Sequence, residues 1–517
     1  MVKSRIIMEQ VISPSSNLVN EGKLLVQRGE YQQAISCYVQ ALNADLNNPW
    51  AFYYLGVCLA KQKRDAEAMS FYIYVIQLQP SFGDAYCALG EIFQAQNQLT
   101  EAIACYQEAI AISPQKIKFR MSLGKAWKAQ GKIQQALNCF QQVIKLRPNF
   151  VWSYLQVGSI LRQQGKYQAA IDYYFQALTI NPRLPAAYTI LEFMPIPEIE
   201  LERAIALYQK IVQQDPDIFA AWTNLGDALT QKQELTLAVA AYQQAAYHKT
   251  IITEPQLATA YQQLRDRLPN PTTTKATKPD FIIIGVGKCG TTSLYKYLSQ
   301  HPQVLPAIKK EINFFNFNFE HGIDWYLAHF PALAGEQNLI TGEASPSYFS
   351  YLHTDHRISE SCPQVKLIIL LRNPTKRAVS HYYHRVREGI ETRSLADALN
   401  SELKLIKQAK PQELAYLRGY LGLGLYIYKL QRWLTLFPQE NVLILNSEDL
   451  ELNSSLSLLQ TYRFLGLANH ALAKYPRHNT GTYSDRIDEQ LQVQLSRFFR
   501  PYNTALETFL NRTFGWN

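Results

Sequence analysis

The chain has 517 residues, of which 47% are hydrophobic and 18% are charged, and its formal net charge is +9. This composition predicts a packed globular protein of two to four domains and excludes extended disorder. The mild positive charge favours anionic ligands only weakly, and the absence of a clustered basic run argues against a nucleic-acid partner.

The first residues, MVKSRIIMEQVISPSSN, contain no sustained apolar run, and no stretch of the chain approaches the ~18–20 apolar residues of a membrane span. We therefore expect a cytoplasmic protein without a membrane span. The seven cysteines lack metal-ligand spacing, so we expect neither a disulfide framework nor a metal site.

Residues 15–250 repeat one 34-residue pattern seven times. In most units a glycine is followed twelve residues later by an alanine and sixteen residues later by Tyr or Phe, and a proline ends the unit. Small residues let two antiparallel helices approach closely, the aromatic residue fills the volume between neighbouring pairs, and proline ends the second helix. The pattern resembles the tetratricopeptide repeat (TPR), which implies an α-solenoid that binds a protein or peptide on its concave face.

The sixth unit departs from the pattern, because Glu192 replaces the glycine and Pro195 and Pro197 fall at the turn. We expect a distorted or shortened first helix there. Residues 254–268 read as a capping helix, which closes a repeat domain of residues 15–267. The stretch LPNPTTTKATKP that follows predicts a linker at residues 268–279.

Beyond the linker the repeat disappears, and apolar strand-like runs alternate with amphipathic helical stretches. The runs are FIIIG, KLIILLR and NVLILN. This alternation predicts a second domain at residues 280–517 with an α/β fold and a parallel sheet.

The segment GVGKCGTTS follows the first of these runs. Gly285 and Gly290 have the glycine spacing of a nucleotide phosphate loop, but Thr291 stands where that loop carries its lysine, and Lys288 lies inside the loop instead. Backbone amides at a helix N-terminus still predict phosphate binding, with hydroxyl donors from Thr291 and Thr292.

The second run ends in Arg372, where a nucleoside triphosphatase would place an aspartate for Mg²⁺. An arginine would instead bind an anion as a bidentate fork, and Ser380, eight residues later, could donate to the same anion. The sequence therefore predicts a metal-free site for a nucleotide with two separate anionic groups.

These residues resemble the sulfotransferases that use 3′-phosphoadenosine-5′-phosphosulfate (PAPS) as co-substrate. GVGKCGTTS is similar to their 5′-phosphosulfate loop, and LRNPTKRAVSHYY is similar to their 3′-phosphate motif. Their basic nucleotide loop near the C-terminus is represented here by PRHNTGTYSD. The resemblance implies nucleotide contacts for Lys288, Cys289, Gly290, Thr291, Thr292, Arg372, Ser380, Thr480, Gly481, Thr482 and Tyr483.

The segments KEINFFN, GIDWYLAHFP, GEASPSYF and RFFRPYNTALETFLNRTFGW further resemble, in the same order, the heparan-sulfate type of this family. The resemblance implies that Glu311 is the general base for the acceptor and that Lys288 stabilises the leaving group. We further expect Asn313 and Asn316 to orient the acceptor. Ala344 departs from the family, which generally carries a lysine there.

Several alternatives remain open on the sequence. The acceptor is a hydroxyl or amine on a saccharide, or else a protein tyrosine presented by the repeats. A degenerate, non-catalytic scaffold is supported by Ala344 and by the weakly charged C-terminal loop. A nucleotide kinase is the weaker alternative, because this sequence lacks the lysine and the metal-binding acid that a kinase carries at these positions.

We interpret Cys289 as a small residue that fits the turn rather than as a reactive thiol. We interpret three histidines as structural: His301, His381 and His384.

Overall fold

The structure is a computed structural model that describes residues 14–267, 277–332, 338–476 and 488–516, with the backbone alone described for residues 264–267. The chain divides into two compact units at the boundary between Glu200 and Leu201. The linker expected at residues 268–279 lies mostly outside the described ranges, so the boundaries of the two domains stay a prediction.

Helix pairs in the described part of residues 14–253 confirm the repeat array. The helices are α1 (Pro14–Arg28), α2 (Tyr31–Ala44), α3 (Pro49–Lys61), α4 (Asp65–Leu78), α5 (Gly83–Ala95), α6 (Leu99–Ile112), α7 (Ile117–Ala129), α8 (Ile133–Leu146), α9 (Val151–Gln163), α10 (Tyr167–Ile180), α11 (Pro185–Glu192), α12 (Glu198–Gln214), α13 (Phe219–Gln231) and α14 (Leu235–Thr253). Each pair corresponds to one 34-residue unit of the sequence.

The glycine and the aromatic residue of the repeat pack against each other within one helix pair. A Cβ added at Gly124 in α7 would lie 2.6 Å from the Cε1 of Phe140 in α8, and the other glycines of the pattern meet their aromatic partners at 2.4–2.8 Å. Phe140 is fully buried. The glycine is therefore required by the ring of its own unit, and the aromatic residue does more than fill the space between neighbouring pairs.

The turn inside most pairs contains a residue with a left-handed backbone, again at 34-residue spacing. Three of these residues are glycines and three are not. They are Gly29, Lys63, Asn97, Gly131, Gly165 and Gln233, with φ between 62° and 80°. The sequence pattern does not reveal this position, because Lys and Gln do not favour a positive φ.

The sixth unit confirms the expected shortening. Its first helix, α11, has 8 residues and ends at Glu192, whereas α9 of the preceding unit has 13. The short helix follows from Pro195 and Pro197, whose rings cannot continue an α-helix.

The expected capping helix is present as a 3₁₀ turn at Pro255–Leu257 and α15 (Ala258–Arg267). The ring of Tyr261 packs edge-on against Tyr247 of α14 with centroids 5.3 Å apart. Tyr261 also belongs to a buried cluster with Leu305 and Leu339, which belong to the sheet domain. The cap therefore has a second role, because it packs on the domain that follows.

A five-stranded parallel sheet with the order β2-β3-β1-β4-β5 confirms the predicted α/β fold. The strands are β1 (Phe281–Gly285), β2 (Val304–Pro306), β3 (Ile340–Ala344), β4 (Lys366–Leu371) and β5 (Val442–Asn446). The sequence runs predicted β1, β4 and β5. It did not indicate β2, which has three residues, or β3, which contains glycine and a charged residue that weaken a strand signal.

Helices cover the sheet and extend to the C-terminus. They are α16 (Thr291–Leu298), α17 (Phe314–Phe317), α18 (Ile323–Leu327), α19 (Thr354–Ser361), α20 (Pro374–Arg387), α21 (Leu395–Gln408), α22 (Tyr426–Leu436), α23 (Ser447–Leu452), α24 (Ser454–Leu465) and α25 (Glu489–Leu510). In the described part of the chain, no helix combines the length and the apolar character that crossing a bilayer requires.

Candidate active site

The segment after β1 lies where the sheet reverses its strand order. β1 pairs with β3 on one side and with β4 on the other, and the chain crosses from β3 to β4 past β1. In open parallel sheets the loops at the carboxyl ends of such strands form a crevice in which ligands bind. The phosphate-loop segment predicted from the sequence therefore lies at the crevice of this sheet.

The loop turns sharply into α16. The Val286 N–H donates to the Leu370 carbonyl at 3.0 Å, and the Cys289 N–H donates to the Val286 carbonyl at 3.2 Å. Lys288 and Gly290 have φ of 72° and 90°, which turns the chain back on itself before the helix. The loop leads directly into the N-terminus of α16, and the dipole of a helix favours an anion at that end.

The Lys288 ammonium lies among charges of both signs. Its pKa is lowered first by burial and next by the Arg387 guanidinium, with a smaller contribution from Arg372, and it is raised by the carboxylates of Glu388 and Glu311. The charge of Glu311 thus acts on Lys288, although the two residues are 23 positions apart in the sequence.

Arg372 directly follows β4 and contacts the loop. Its Nη1 donates to the Lys288 carbonyl at 3.2 Å, and its Nη2 lies 3.9 Å from Glu451 Oε1. Thr291 is buried and Thr292 is half-buried at the start of α16. The loop and the arginine, predicted to bind two separate anionic groups of one nucleotide, are therefore in direct contact.

Ser380 lies buried in α20, two turns after the corner that carries Arg372. Asn373 caps this helix through its Oδ1, which accepts the Lys376 N–H at 3.1 Å. The Asn373 N–H in turn donates to Glu448 Oε1 at 3.0 Å, and Trp516 Nε1 donates to Glu448 Oε2 at 3.3 Å. Sequence reasoning missed Glu448, which holds the start of α20 in place.

Cys289 is fully buried, and burial raises the pKa of its thiol to about 12. A thiol with this pKa is not a reactive nucleophile at neutral pH. This agrees with the interpretation of Cys289 as a residue that fits the turn.

Glu311 lies on the connection between β2 and β3 in a left-handed conformation with φ of 64°. Its N–H donates to the Ala344 carbonyl at 3.1 Å, and its carboxylate, 44% exposed, accepts a hydrogen bond from the Lys310 ammonium. The backbone contact fixes Glu311 at the end of β3, while its side chain is partly exposed and paired with Lys310.

The two asparagines that follow are held by one hydroxyl group. Ser347 Oγ donates to Asn313 Oδ1 at 2.7 Å and accepts from Asn316 Nδ2 at 2.9 Å. The Asn313 N–H also donates to Ser345 Oγ at 3.1 Å. The segment GEASPSYF thus orients the segment KEINFFN, which explains why both are needed in the same fold.

Sequence reasoning also missed Glu343, a fully buried carboxyl beneath this segment. It accepts hydrogen bonds from Tyr326 Oη at 2.9 Å, Tyr348 Oη at 3.0 Å and Ser345 Oγ at 2.5 Å. Burial nevertheless raises its pKa to about 7, because the hydrogen bonds offset only part of the loss of water. An acid inside a buried strand was the sequence signal that could have revealed it.

The three histidines interpreted as structural have different surroundings, and their roles stay predictions. His301 uses both ring nitrogens, accepting from the Gln303 N–H at 3.1 Å and lying 2.9 Å from the Ala468 carbonyl. Burial and the nearby Arg377 lower the pKa of His381 to about 3, and burial also lowers the pKa of His384. His381 is therefore neutral at physiological pH.

A basic cleft with a volume of about 580 Å³ lies beside α20. Its lining includes His381, Arg385, Arg418 and Tyr420, together with Arg393 and Glu391, which form an ion pair at 2.7 Å. The Arg418 guanidinium lies 4.0 Å from the centre of the Tyr351 ring, and Tyr351 in turn packs against Phe317 next to the KEINFFN segment. Arg385 and Arg418 therefore give the cleft positive charge, and Tyr420 gives it an aromatic side chain.

The four predicted nucleotide contacts Thr480, Gly481, Thr482 and Tyr483 lie outside the described residues. Within the described part of the chain, no group of three or more His, Cys, Asp and Glu side chains is placed to hold a metal ion. The roles of all the predicted site residues, and a metal-free reaction, stay predictions.

A parallel sheet with a glycine-rich loop at its switch point and an arginine at the adjacent strand end defines a phosphate-loop type of α/β domain. A family model for the sulfotransferase domain matches residues 278–494, and models for the tetratricopeptide repeat match segments between residues 22 and 250. The chain belongs to the sulfotransferase family, in which it carries an N-terminal TPR array.

One human relative in particular supports this assignment, because the chain covers more than two thirds of it. Human heparan sulfate glucosamine 3-O-sulfotransferase 6 is 30% identical over 263 residues, which are 46% of this chain and 73% of that protein. Human bifunctional heparan sulfate N-deacetylase/N-sulfotransferase 2 is 30% identical over 268 residues, and the chain spans only 30% of its length. A solved sulfotransferase from Alicyclobacillus acidocaldarius is 31% identical over 46% of this chain and 99% of that one, with a TM-score of 0.40.

Proposed function

We propose that the protein transfers the sulfuryl group of PAPS to a hydroxyl or amine of an anionic saccharide. The observation that supports this proposal is that Lys288 is influenced by both Glu311 and Arg372, which come from two other segments of the chain. Lys288 lies in the loop, the Glu311 carboxylate acts on its pKa, and Arg372 is bonded to the loop's own carbonyl.

In this proposal the loop amides hold the 5′-phosphosulfate group, with hydroxyl donors from Thr291 and Thr292. Arg372 and Ser380 hold the 3′-phosphate. A guanidinium at the end of β4 suits this anion and would repel a divalent cation, which is the reason to expect a reaction without metal.

The chemistry requires one proton acceptor and one cation. Glu311 takes the proton of the acceptor hydroxyl as its oxygen bonds to sulfur, and the bond from sulfur to the phosphate oxygen breaks. Lys288 neutralises the charge that grows on that phosphate oxygen, and its partial burial strengthens this interaction relative to water. Asn313 and Asn316, fixed by Ser347, orient the acceptor.

The cleft beside α20 supports an anionic saccharide as the acceptor. Arg385 and Arg418 attract sulfate or carboxylate groups of such an acceptor, and Tyr420 adds an aromatic side chain to the lining. The heparan sulfate in the names of the relatives agrees with this acceptor class. The TPR array would bind a protein partner or present the acceptor, and a cytoplasmic location remains part of the proposal.

Binding and transfer experiments test the proposal. Without Mg²⁺, adenosine 3′,5′-bisphosphate should raise the melting temperature of the full chain, because ligand bound to the folded state stabilises it. Labelled PAPS should pass its sulfuryl group to an anionic polysaccharide in a panel that also contains proteins and small alcohols. Glu311→Gln should retain nucleotide binding, and its rate of sulfuryl transfer should fall at least about 100-fold, because a general base usually contributes a factor of this size.

Each alternative predicts a different result. Transfer to a tyrosine of one of the proteins in the acceptor panel would favour a tyrosyl-protein sulfotransferase that receives its substrate from the repeats. Nucleotide binding without transfer to any acceptor would favour a scaffold with a degenerate domain, in keeping with Ala344 and the weakly charged C-terminal loop. Stronger stabilisation by ATP with Mg²⁺ would contradict the sulfotransferase proposal and favour a kinase.

A further inference from the structure

A polar network joins the last helix pair of the repeats, α13 and α14, to the segment that precedes Glu311. Trp325 Nε1 donates to Thr230 Oγ1 at 2.8 Å, and Thr230 Oγ1 lies 3.2 Å from Tyr242 Oη. Tyr242 Oη donates to Asp227 Oδ1 at 2.6 Å, and the same carboxylate oxygen accepts the Lys309 ammonium at 2.5 Å. We call these five residues the Asp227 network.

A second cation strengthens the same connection. Lys249 of α14 donates from Nζ to the carbonyl oxygen of Ala307 at 2.6 Å and to that of Ile308 at 3.3 Å. The Ile308 N–H donates to the His329 carbonyl at 2.9 Å. Backbone and side-chain bonds therefore hold consecutive residues 307, 308 and 309 against the last repeat.

The held residues lie next to the proposed base. Only Lys310 separates Lys309 from Glu311, and consecutive Cα atoms are ~3.8 Å apart. Glu311 is itself bonded through its N–H to the Ala344 carbonyl at 3.1 Å. The segment is thus fixed at both ends, by the repeat helices before Glu311 and by β3 at Glu311.

Burial distinguishes the ion pair in this network from an ordinary surface pair. The side chains of Asp227 and Lys309 are 18% and 14% exposed, respectively. Charges this sheltered are screened little by salt, and loss of one partner leaves the other without compensation. The pair is therefore able to order a segment, which an exposed pair on a flexible surface cannot do.

We propose that Asp227, on the seventh repeat, is a positioning residue for catalysis. It holds Lys309, and through it the segment 307–311, so that the Glu311 carboxylate stays at the crevice. This inference rests on the proposed function in assigning the base to Glu311. It gives the last repeat a direct part in the transfer reaction, in addition to any partner that the array binds.

The test compares Asp227→Asn with the wild-type full chain by two measurements. Hydrogen–deuterium exchange of peptides that cover residues 305–317 should rise, and kcat for sulfuryl transfer should fall at least about 10-fold, since small misplacements of a catalytic group have large effects. Affinity for adenosine 3′,5′-bisphosphate should stay within about twofold, because the nucleotide loop does not contact Asp227. Lys309→Gln should reproduce both changes, and the double variant should fall no further than either single one.

Asp84→Asn is the control for loss of an acidic partner elsewhere, because Asp84 forms a more exposed pair with Lys116, at 2.6 Å, within the earlier repeats. It should change neither the exchange of residues 305–317 nor kcat.

Unchanged exchange of this segment in both Asp227→Asn and Lys309→Gln would overturn the proposal, as would raised exchange with an unchanged kcat. Absence of transfer in the wild-type chain would instead refute the proposed function. The exchange measurement alone would then decide whether Asp227 orders the segment.

Discussion

The carboxyl group of Glu343 has no access to water, and its environment favours the protonated form. Three hydroxyl groups donate to it, yet its pKa rises to about 7 from an ordinary value of 4.5, because burial outweighs the hydrogen bonds. The folded state therefore binds a proton in the pH range from about 4.5 to 7 that the unfolded state releases.

Stability should consequently fall as the pH rises through this range. The shift corresponds to a loss of about 3 kcal/mol between pH 4.5 and values above 7, at about 1.36 kcal/mol per pKa unit. Glu343→Gln, which is neutral at every pH and keeps an oxygen acceptor for Tyr326 and Tyr348, should remove this component. Urea unfolding at pH 5 and pH 8 measures it, with the exposed Glu440→Gln as the control. An equal pH dependence in wild type and Glu343→Gln would contradict the assignment.

At the scale of single residues, the sequence was sufficient to predict those site residues that belong to a short motif. Lys288 and Arg372 could be placed in one site because each follows a predicted parallel strand, and carboxyl ends of such strands meet. Glu343 and Glu448 could not be placed, because their roles arise from contacts with Tyr326 and Trp516, which lie elsewhere in the chain. No local pattern encodes such contacts.

At the scale of secondary-structure elements, the close approach of two helices in a repeat depends on a missing side chain. Gly124→Ala should destabilise the array by about 1–3 kcal/mol, because the new Cβ would lie 2.6 Å from the Phe140 ring and overpack the pair. This cost exceeds the ~1 kcal/mol that alanine gains over glycine in a helix. Urea unfolding checks the prediction.

Gly124→Ala combined with Phe140→Leu serves as the control, since a smaller side chain relieves the contact. Recovery of part of the lost stability in the double variant is expected. If Gly124→Ala were as stable as the wild type, the glycine would be a feature of the pattern without a role in packing.

Elements with a strong period could be predicted, and elements set by tertiary contacts could not. The 34-residue repeat determined the helix pairs, and the prolines correctly indicated the short α11. Strand β2 could not be predicted, because three residues are too few to show an alternation of apolar and polar side chains. It is stabilised by its pairing with β3. The left-handed backbone of Lys63 and Gln233 could not be predicted, because the turn and not the residue type imposes this conformation.

At the scale of the whole molecule, the family match and the structural unit begin at different residues. The sulfotransferase match starts at residue 278, whereas the second compact unit starts at Leu201 and includes α13 and α14. The buried cluster of Tyr261 with Leu305 and Leu339, together with the Asp227 network, accounts for this difference. A sequence motif marks the catalytic residues, but it does not mark the surface on which their domain packs.

Truncation should reveal whether a stable catalytic domain begins near Leu201 or near residue 278. A chain of residues 198–517 should fold and retain transfer, because it keeps α12 to α14 whole. A chain of residues 277–517 should melt at least about 10 °C lower or aggregate, because it exposes Trp325, Leu305 and Leu339, each worth about 1.5–3 kcal/mol when buried. Thermal melts of both chains test this, and equal melting temperatures would show that the last repeats are dispensable for stability.

The Asp227 network also has a consequence for the evolution of such a chain by recombination. Repeat genes readily gain, lose and exchange units, but a crossover between the codons for Asp227 and Lys309 would separate two halves of one ion pair. The last helix pair and the sulfotransferase domain should therefore be inherited as a single block. Recombination would then be tolerated upstream, among the units whose helices do not share this bond.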